Sequence, residues 1–411
     1  MHDEYRRVAA RIDGYRAFAI ELERRLTAEK AIAPESGGKG ELGKARVLEK
    51  ILAEIGVGSV ERIDSPDERA EGGRRPNVIA RIPGSGAAKG RLWIMSHLDV
   101  VPEGDRSKWT ADPWTVRVEG DKVYGRGVED NGQGIVASLL LARALLEEKA
   151  KPVRDVCLLF VADEEVGSKH GIQHVLKTSS SFAKDDFIVV PDGGREDGSQ
   201  IEVAEKGILW EKLTVTGKTT HASTPERGIN AHRAAAHLVV ALDALAERFP
   251  ARDPVFDPPT STFEPTKREP NVPSVNILPG EDVFYLDCRV LPRYPLDDVE
   301  RAIAEIGRSI EERFKVTITR EAMQRDDPAP PTPADAPVVK ALGRAVRDVY
   351  GVEAKAEGIG GGTVAAHIRR AGFPVVVWSR MDETMHGPDE NVRLPNLLGD
   401  AKVFAHLALH E

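Results

Sequence analysis

The chain is 411 residues long, beyond the size at which one hydrophobic core stops growing, so two domains are expected. Hydrophobic residues make up 41% and charged residues 30%, the balance of a soluble globular enzyme. Lys and Arg number 57 against 66 Asp and Glu, a net charge of −9 with no concentrated basic run, so nucleic acid is not expected as a partner.

The first residues, MHDEYRRVAARIDGYRAF, alternate charged and apolar side chains at helical spacing and lack the apolar core of a signal peptide. No apolar run is long enough to span a bilayer, so a cytoplasmic protein without membrane contact is expected. Cys157 and Cys288 each sit in a strand-like apolar run and read as buried thiols of a reducing compartment. Residues 4–26 and 44–55 read as amphipathic helices around the Gly-rich turn ESGGKGELG. NVIARIP, RLWIMSHLD, VCLLFVAD and DFIVVPD then read as strands, with the helix IVASLLLARALLEEK between them. Strands apolar on both faces and separated by helices give an α/β class, a mostly parallel twisted sheet covered by helices. Such sheets bind ligands beyond the carboxyl ends of their strands, and three of these runs end in SHLD, ADEE and PDGG.

The pattern changes at Lys206. ILWEKLTVTG alternates like a half-exposed antiparallel strand, and NAHRAAAHLVVALDALAERF reads as one long helix. The Pro-rich DPVFDPPTSTFEPTKREPNVP reads as an irregular loop, and SVNILPGEDVFYLDCRVLP as a hairpin about PGED. LDDVERAIAEIGRSIEERF is a second helix, followed by the strand KVTITRE. Residues 206–321 are thus expected to form an inserted α+β domain, a four-stranded antiparallel sheet with two helices on one face. Residues 1–205 and 322–411 form the larger domain, re-entered through DDPAPPTPADAP. There the helix VVKALGRAVRDVYG, the Gly-rich loop GIGGGT and the buried strand FPVVVWSRMD follow.

His97 and Asp99, at i and i+2 near a strand end, project from one face. They read either as a surface polar pair or as a metal-binding imidazole whose tautomer a carboxylate fixes. Asp130 lies in VYGRGVEDNGQG, as a helix cap or as a carboxylate held against a ligand by Gly-flanked backbone. Glu164 and Glu165 read as a solvated acidic turn, or as a pair in which one binds metal and the other moves a proton. Asp192 ends DFIVVPD, and His386 sits in ETMHGPDEN. Together His97, Asp130, Glu165, Asp192 and His386 fall where strands empty onto one rim. This mix of nitrogen and oxygen donors suits zinc, with manganese or cobalt as substitutes. If one carboxylate bridges, the set can serve two metals about 3.5–4 Å apart.

SHLDVVP, YGRGVEDNGQG, DEEVGS, VVPDGG, TTHAST, NILPG and MHGPDEN occur in that order across nearly the whole chain. The series resembles the dizinc metallopeptidase family that includes acetylornithine deacetylase, succinyl-diaminopimelate desuccinylase, aminoacylase, glutamate carboxypeptidase and carnosine-type dipeptidases. The resemblance implies that His97, Asp130 and Asp192 bind one zinc and that Asp130, Glu165 and His386 bind the other. It makes Glu164 the general base and Asp99 the residue that orients His97, with a cis peptide bond after Asp130. It makes the insertion a ferredoxin-like domain that forms a homodimer. His221 of GKTTHAST, by itself a turn residue, would then stabilise the oxyanion in the partner subunit's site. Asn276 and Arg289 would contact substrate, Arg289 through the substrate carboxylate. On its own Arg289 reads as an exposed strand arginine. Gly361, Gly362 and Thr363 would receive the same carboxylate on backbone N–H groups.

The chain departs from the family where Asn131 and Gly132 replace the usual Asp and Lys, and where VAAH lacks an Asp many members carry. Asp192 resembles the carboxypeptidase and dipeptidase members, since desuccinylases and aminoacylases usually carry Glu there. The implied activity is hydrolysis of an amide or peptide bond in a small peptide with a free carboxylate. N-acyl amino acid deacylation is the second reading, and a binding protein that kept the fold without catalysis is a third.

Overall fold

The computed structural model describes residues 2–411. They divide into two compact units: one holds the chain up to Val203 with Thr332–Glu357 and Thr363–Glu411, the other Ala204–Pro331 with Gly358–Gly362. The chain leaves the second unit later than residue 322. Strand Thr317–Asp326 still pairs with Gly207–Thr216 as far as Asp326 opposite Ile208, so the crossing falls in the Pro-rich linker.

The sheet of the first unit is ordered Ser59–Pro66, Arg74–Ile82, Asp155–Val161, Arg91–His97, Phe187–Val190, Val375–Val377, Gln200–Glu205, Lys355–Ile359. Its centre, from Asp155–Val161 to Val375–Val377, is parallel, and antiparallel strands flank it. Parallel pairing brings the carboxyl ends of those central strands to one edge, which sets the place of the site. Leu92, Trp93, Ile94 and Met95 are fully buried, as a strand covered on both faces requires. Each such side chain contributes about 1.5–3 kcal/mol of apolar burial. Helices Gln133–Glu147, Pro337–Tyr350 and Leu394–Leu409 pack with one another or with the N-terminal helix His2–Asp13. The helix expected over 4–26 is two, His2–Asp13 and Arg16–Thr27. Gly14 and Tyr15 bond three residues back and end the first.

The second unit runs strand, helices, strand, strand, helix, strand, with the sheet ordered Thr262–Arg268, Glu281–Val290, Gly207–Thr216, Thr317–Asp326 and every pairing antiparallel. That is the ferredoxin-like order. Leu209, Leu213 and Val215 alternate inward against Leu238, Ile303 and Ile306 of the helices. The long helix expected from residue 230 is divided into Ala231–Ala241 and Ala244–Arg248 by a tightened turn at Leu242 and Asp243.

Two strand assignments differ from the sequence reading. The Pro-rich stretch contains an edge strand, Thr262–Arg268, which tolerates Pro265 where a central strand would not. The hairpin about PGED does not form. Ile277–Leu278 pairs instead with Thr220–His221, and Glu281–Val290 takes its neighbours from distant chain.

Candidate metal centre

Each candidate ligand sits just beyond a core element of the first unit. His97 is the last residue of Arg91–His97, and Asp192 follows Phe187–Val190. Glu164 and Glu165 open the single turn Glu164–Val166 after Asp155–Val161, entered through Asp163 at φ +67°. Asp130 lies in the turn Val128–Gly132 before helix Gln133–Glu147, and the Asp130–Asn131 peptide bond is cis. His386 lies in the loop after Val375–Val377.

The five converge. Asp130 stands between the imidazoles, Oδ1 2.8 Å from His97 Nε2 and Oδ2 3.0 Å from His386 Nε2. Asp192 Oδ1 lies 3.4 Å from His97 Nε2, and Glu165 Oε2 lies 3.2 Å from His386 Nε2. Glu164 joins the first group, since donor atoms of His97, Glu164 and Asp192 lie within 4.8 Å of one another, as do those of His97, Asp130 and Glu165. His97 belongs to both groups, and Asp130 contacts both imidazoles.

Electrostatics explain why this cluster fits a cation. Burial pushes Glu164 well above the usual carboxylate range, and neighbouring Asp192 raises it further. Glu165 and Asp192 are also raised, again first by burial. His97 is held well above the imidazole range although burial opposes its charge, because Asp192 and Asp130 face it. His386 is raised to about 10 by its hydrogen bonds to Asp130 and Glu165. Two imidazoles facing several buried carboxylates form the mixed nitrogen and oxygen donor set that a divalent cation satisfies. The donor set fits zinc-type ions.

Asp99 is completely buried and meets His97 chiefly through its backbone. Its backbone carbonyl, 3.0 Å from His97 Nδ1, is the nearer partner of the imidazole, and its carboxylate is 3.6 Å away. That carboxylate accepts from the backbone N–H groups of Glu164 and Glu165 instead. Asn131 donates through Nδ2 to Asp192 Oδ1 and to the Pro191 carbonyl, each at 2.7 Å.

The other candidates divide between the units. In the second unit His221 pairs across the ladder with Ile277, and the Asn276 carbonyl accepts from Ala222 N–H, so these distant positions are neighbours. Both side chains are exposed, and His221 Nδ1 meets Ser223 Oγ at 2.6 Å. Arg289 does not present an unengaged fork. Its Nε and Nη2 donate to Asp287, and its Nη1 donates to the Gly360 carbonyl at 2.9 Å. Gly361 and Gly362 belong to the second unit and Thr363 to the first, where Thr363 Oγ1 accepts from Ala365 N–H.

The residues that support this cluster carry little signal in the sequence. Arg75, fully buried on strand Arg74–Ile82, pairs with Glu41 and lies 3.2 Å from Asp163 at the entrance to the Glu164 turn. Its signal in the sequence is an Arg pair just before the strand-like run NVIARIP. Glu129 and Glu390 stood inside the motifs VED and GPDEN without a role.

The Peptidase family M20/M25/M40 profile matches residues 93–410. A protein of Methanococcus maripaludis named an uncharacterized metallohydrolase is 38% identical over 405 residues, covering 94% of this chain and 97% of its own. A succinyl-diaminopimelate desuccinylase of Phenylobacterium zucineum is 27% identical over 398 residues, covering 94% and 96%. The crystal structure of human carnosine dipeptidase 1 superposes with a TM-score of 0.72 at 18% identity, covering 98% of each chain. The chain belongs to peptidase family M20/M25/M40 and is a metal-dependent hydrolase.

Proposed function

We propose that this hydrolase cleaves the amide bond of a small peptide carrying a free carboxylate, with two zinc ions at the cluster and manganese or cobalt as substitutes. The observation that carries the reading is Asp130 between His97 and His386, with Glu164 beside the same group. His97, Asp130 and Asp192 would hold one ion, and Asp130, Glu165 and His386 the other. When bound, the ions supply Lewis acidity and lower the pKa of the attacking water. Glu164, raised by burial, takes the water's proton and returns it to the leaving nitrogen. Asp99 keeps His97 Nε2 facing the cluster by accepting from Nδ1 on its carbonyl.

His221 would stabilise the oxyanion in the partner subunit's site, with the homodimer formed by the ferredoxin-like unit. Asn276, Gly361, Gly362 and Thr363 would receive substrate. Arg289 would meet the substrate carboxylate from a fork that Asp287 already orients, while its Nη1 anchors the loop at Gly360. The buried thiols Cys157 and Cys288 fit a cytoplasmic location, and no helix among the described residues is long and apolar enough to cross a membrane.

Asp192 favours the dipeptidase or carboxypeptidase reading. Likeness to succinyl-diaminopimelate desuccinylase favours N-acyl amino acid deacylation as the second. Zinc-loaded protein assayed against dipeptides, acetylornithine and succinyl-diaminopimelate separates them. Dipeptide turnover is expected, turnover of the N-acyl compounds alone selects the second reading, and turnover of none overturns both.

A further inference from the structure

Two buried carboxylates outside the candidate ligand set, Glu129 and Glu390, lie on the two loops that carry Asp130 and His386. Glu390 reaches from the His386 loop to the Asp130 loop. Its Oε2 accepts from Arg126 Nη1 at 2.7 Å and Gly127 N–H at 3.0 Å, and its Oε1 from Glu129 and Asp130 N–H, each at 3.1 Å. Glu129 reaches the opposite way. It accepts from Asp382 N–H at 2.7 Å, Thr384 N–H at 2.5 Å and Thr384 Oγ1 at 2.7 Å. Arg126 Nη2 also donates to the His386 carbonyl at 3.3 Å. Each loop thus fastens the backbone of the other with a carboxylate of its own.

The loops need that fastening. Glu383, His386 and Asp389 have φ of +57°, +61° and +55°, a left-handed region that side-chain-bearing residues adopt only where surroundings over-determine it. Across from them, Gly127 is left-handed at φ +80°, and a Cβ there would come within 2.5 Å of Val100 Cγ1. The spacing of His386 from Asp130 is therefore set through these crossing hydrogen bonds, not by regular secondary structure.

We propose that Glu390 and Glu129 are reciprocal positioning residues that lock the Asp130 loop to the His386 loop and thereby set the metal affinity of the centre. The proposal rests on the functional reading above. Its test is the zinc affinity of chelator-stripped protein, read by competition with a chromophoric chelator, with circular dichroism alongside. Glu390→Gln keeps the volume and removes the charge facing Arg126. Glu390→Gln combined with Arg126→Met removes both charges, so no buried charge is left unpaired. Affinity is expected to fall about 10–100-fold in both, as for other outer-sphere supports of metal ligands, with the dichroism of the native fold retained. If the single variant fails to fold, the double variant decides. A folded double variant that binds zinc as the native protein does overturns the proposal. So does a double variant whose metal-free form is unfolded, because the residues would then hold the fold and not the centre. Native protein that binds no zinc overturns the functional reading, and this proposal with it.

Discussion

Asp99 and Glu164 stand 65 residues apart and meet through the backbone, Asp99 Oδ1 accepting from Glu164 N–H at 3.0 Å. Asp99 Oδ2 accepts from Glu165 N–H at 3.0 Å, and the carbonyl of the same residue accepts from His97 Nδ1. One buried residue thus orients an imidazole and holds the turn that presents both glutamates. Burial alone would raise the Asp99 carboxyl, but His97 and the two N–H groups hold it below the ordinary range.

The two glutamates on that turn should separate on mutation. Glu165 faces His386, whereas Glu164 shares its group with His97 and Asp192. Glu165→Ala is expected to lose at least one metal ion on dialysis. Glu164→Ala should keep both ions and lose turnover by about 10²-fold or more. Metal analysis and kcat on the same samples check this, and a near-normal rate in Glu164→Ala would remove it from the general-base role.

Metal removal should make the protein pH-sensitive in a defined direction. Without metal, His386 is raised to about 10 by Asp130 and Glu165, from an ordinary value near 6.5. A raised histidine gives stability that is complete below about pH 6.5 and lost as pH rises through the folded value. Chelator-stripped protein should therefore lose stability between about pH 6.5 and 10. Zinc binding displaces those protons, so affinity should rise over the same interval. Melting curves with and without chelator check the first claim, and zinc titrations at stepped pH check the second. Stripped protein that melts at one temperature across the interval would contradict the assignment.

What the sequence made legible was periodic or compact. Runs such as RLWIMSH and DVCLLFV show two-faced apolar character that only a covered sheet satisfies, and their acidic or His-bearing ends mark the rim. The crossing hydrogen bonds of Glu129 and Glu390 join positions some 260 residues apart, and no local pattern encodes such a pairing. The hairpin expected at PGED does not form for a related reason. Ile277 takes its partner from His221, so turn chemistry pointed to a neighbour that tertiary pairing replaced. Thr262–Arg268 was hidden because Pro265 weakens the strand signal, although an edge position tolerates it.

Glu211 offers a stability test away from the metal centre. It is buried on the inward face of Gly207–Thr216, where burial raises it to about 6 against the partial relief of Arg320. A raised carboxyl gives stability below its unfolded value that is lost as pH rises through the folded one. The loss should therefore fall between about pH 4.5 and 6, and a shift of that size corresponds to about 2 kcal/mol. Arg320 also donates to the Glu300 carbonyl, so Glu211→Gln leaves it a partner. Relative to the native protein, the variant should gain about 2 kcal/mol between pH 4 and pH 7 in urea unfolding. A difference that stays constant with pH would place the titration elsewhere.

The catalytic site is expected to need two subunits. His221 is exposed on its own unit, held by Ser223 and backed by the ladder to Ile277. If His221 serves the partner's site, His221→Ala and Glu164→Ala each inactivate a homodimer, but for complementary reasons. In a dimer of one subunit of each kind, one site has both substitutions and the other has neither. Random exchange makes about half of all dimers mixed, with one intact site in each, so a mixture of the two dead variants should recover about a quarter of native activity. Light scattering at micromolar concentration should report a dimer before mixing. Recovery after subunit exchange, absent when either variant is incubated alone, is the expected result. A stable dimer that exchanges subunits without recovering activity would confine His221 to its own chain.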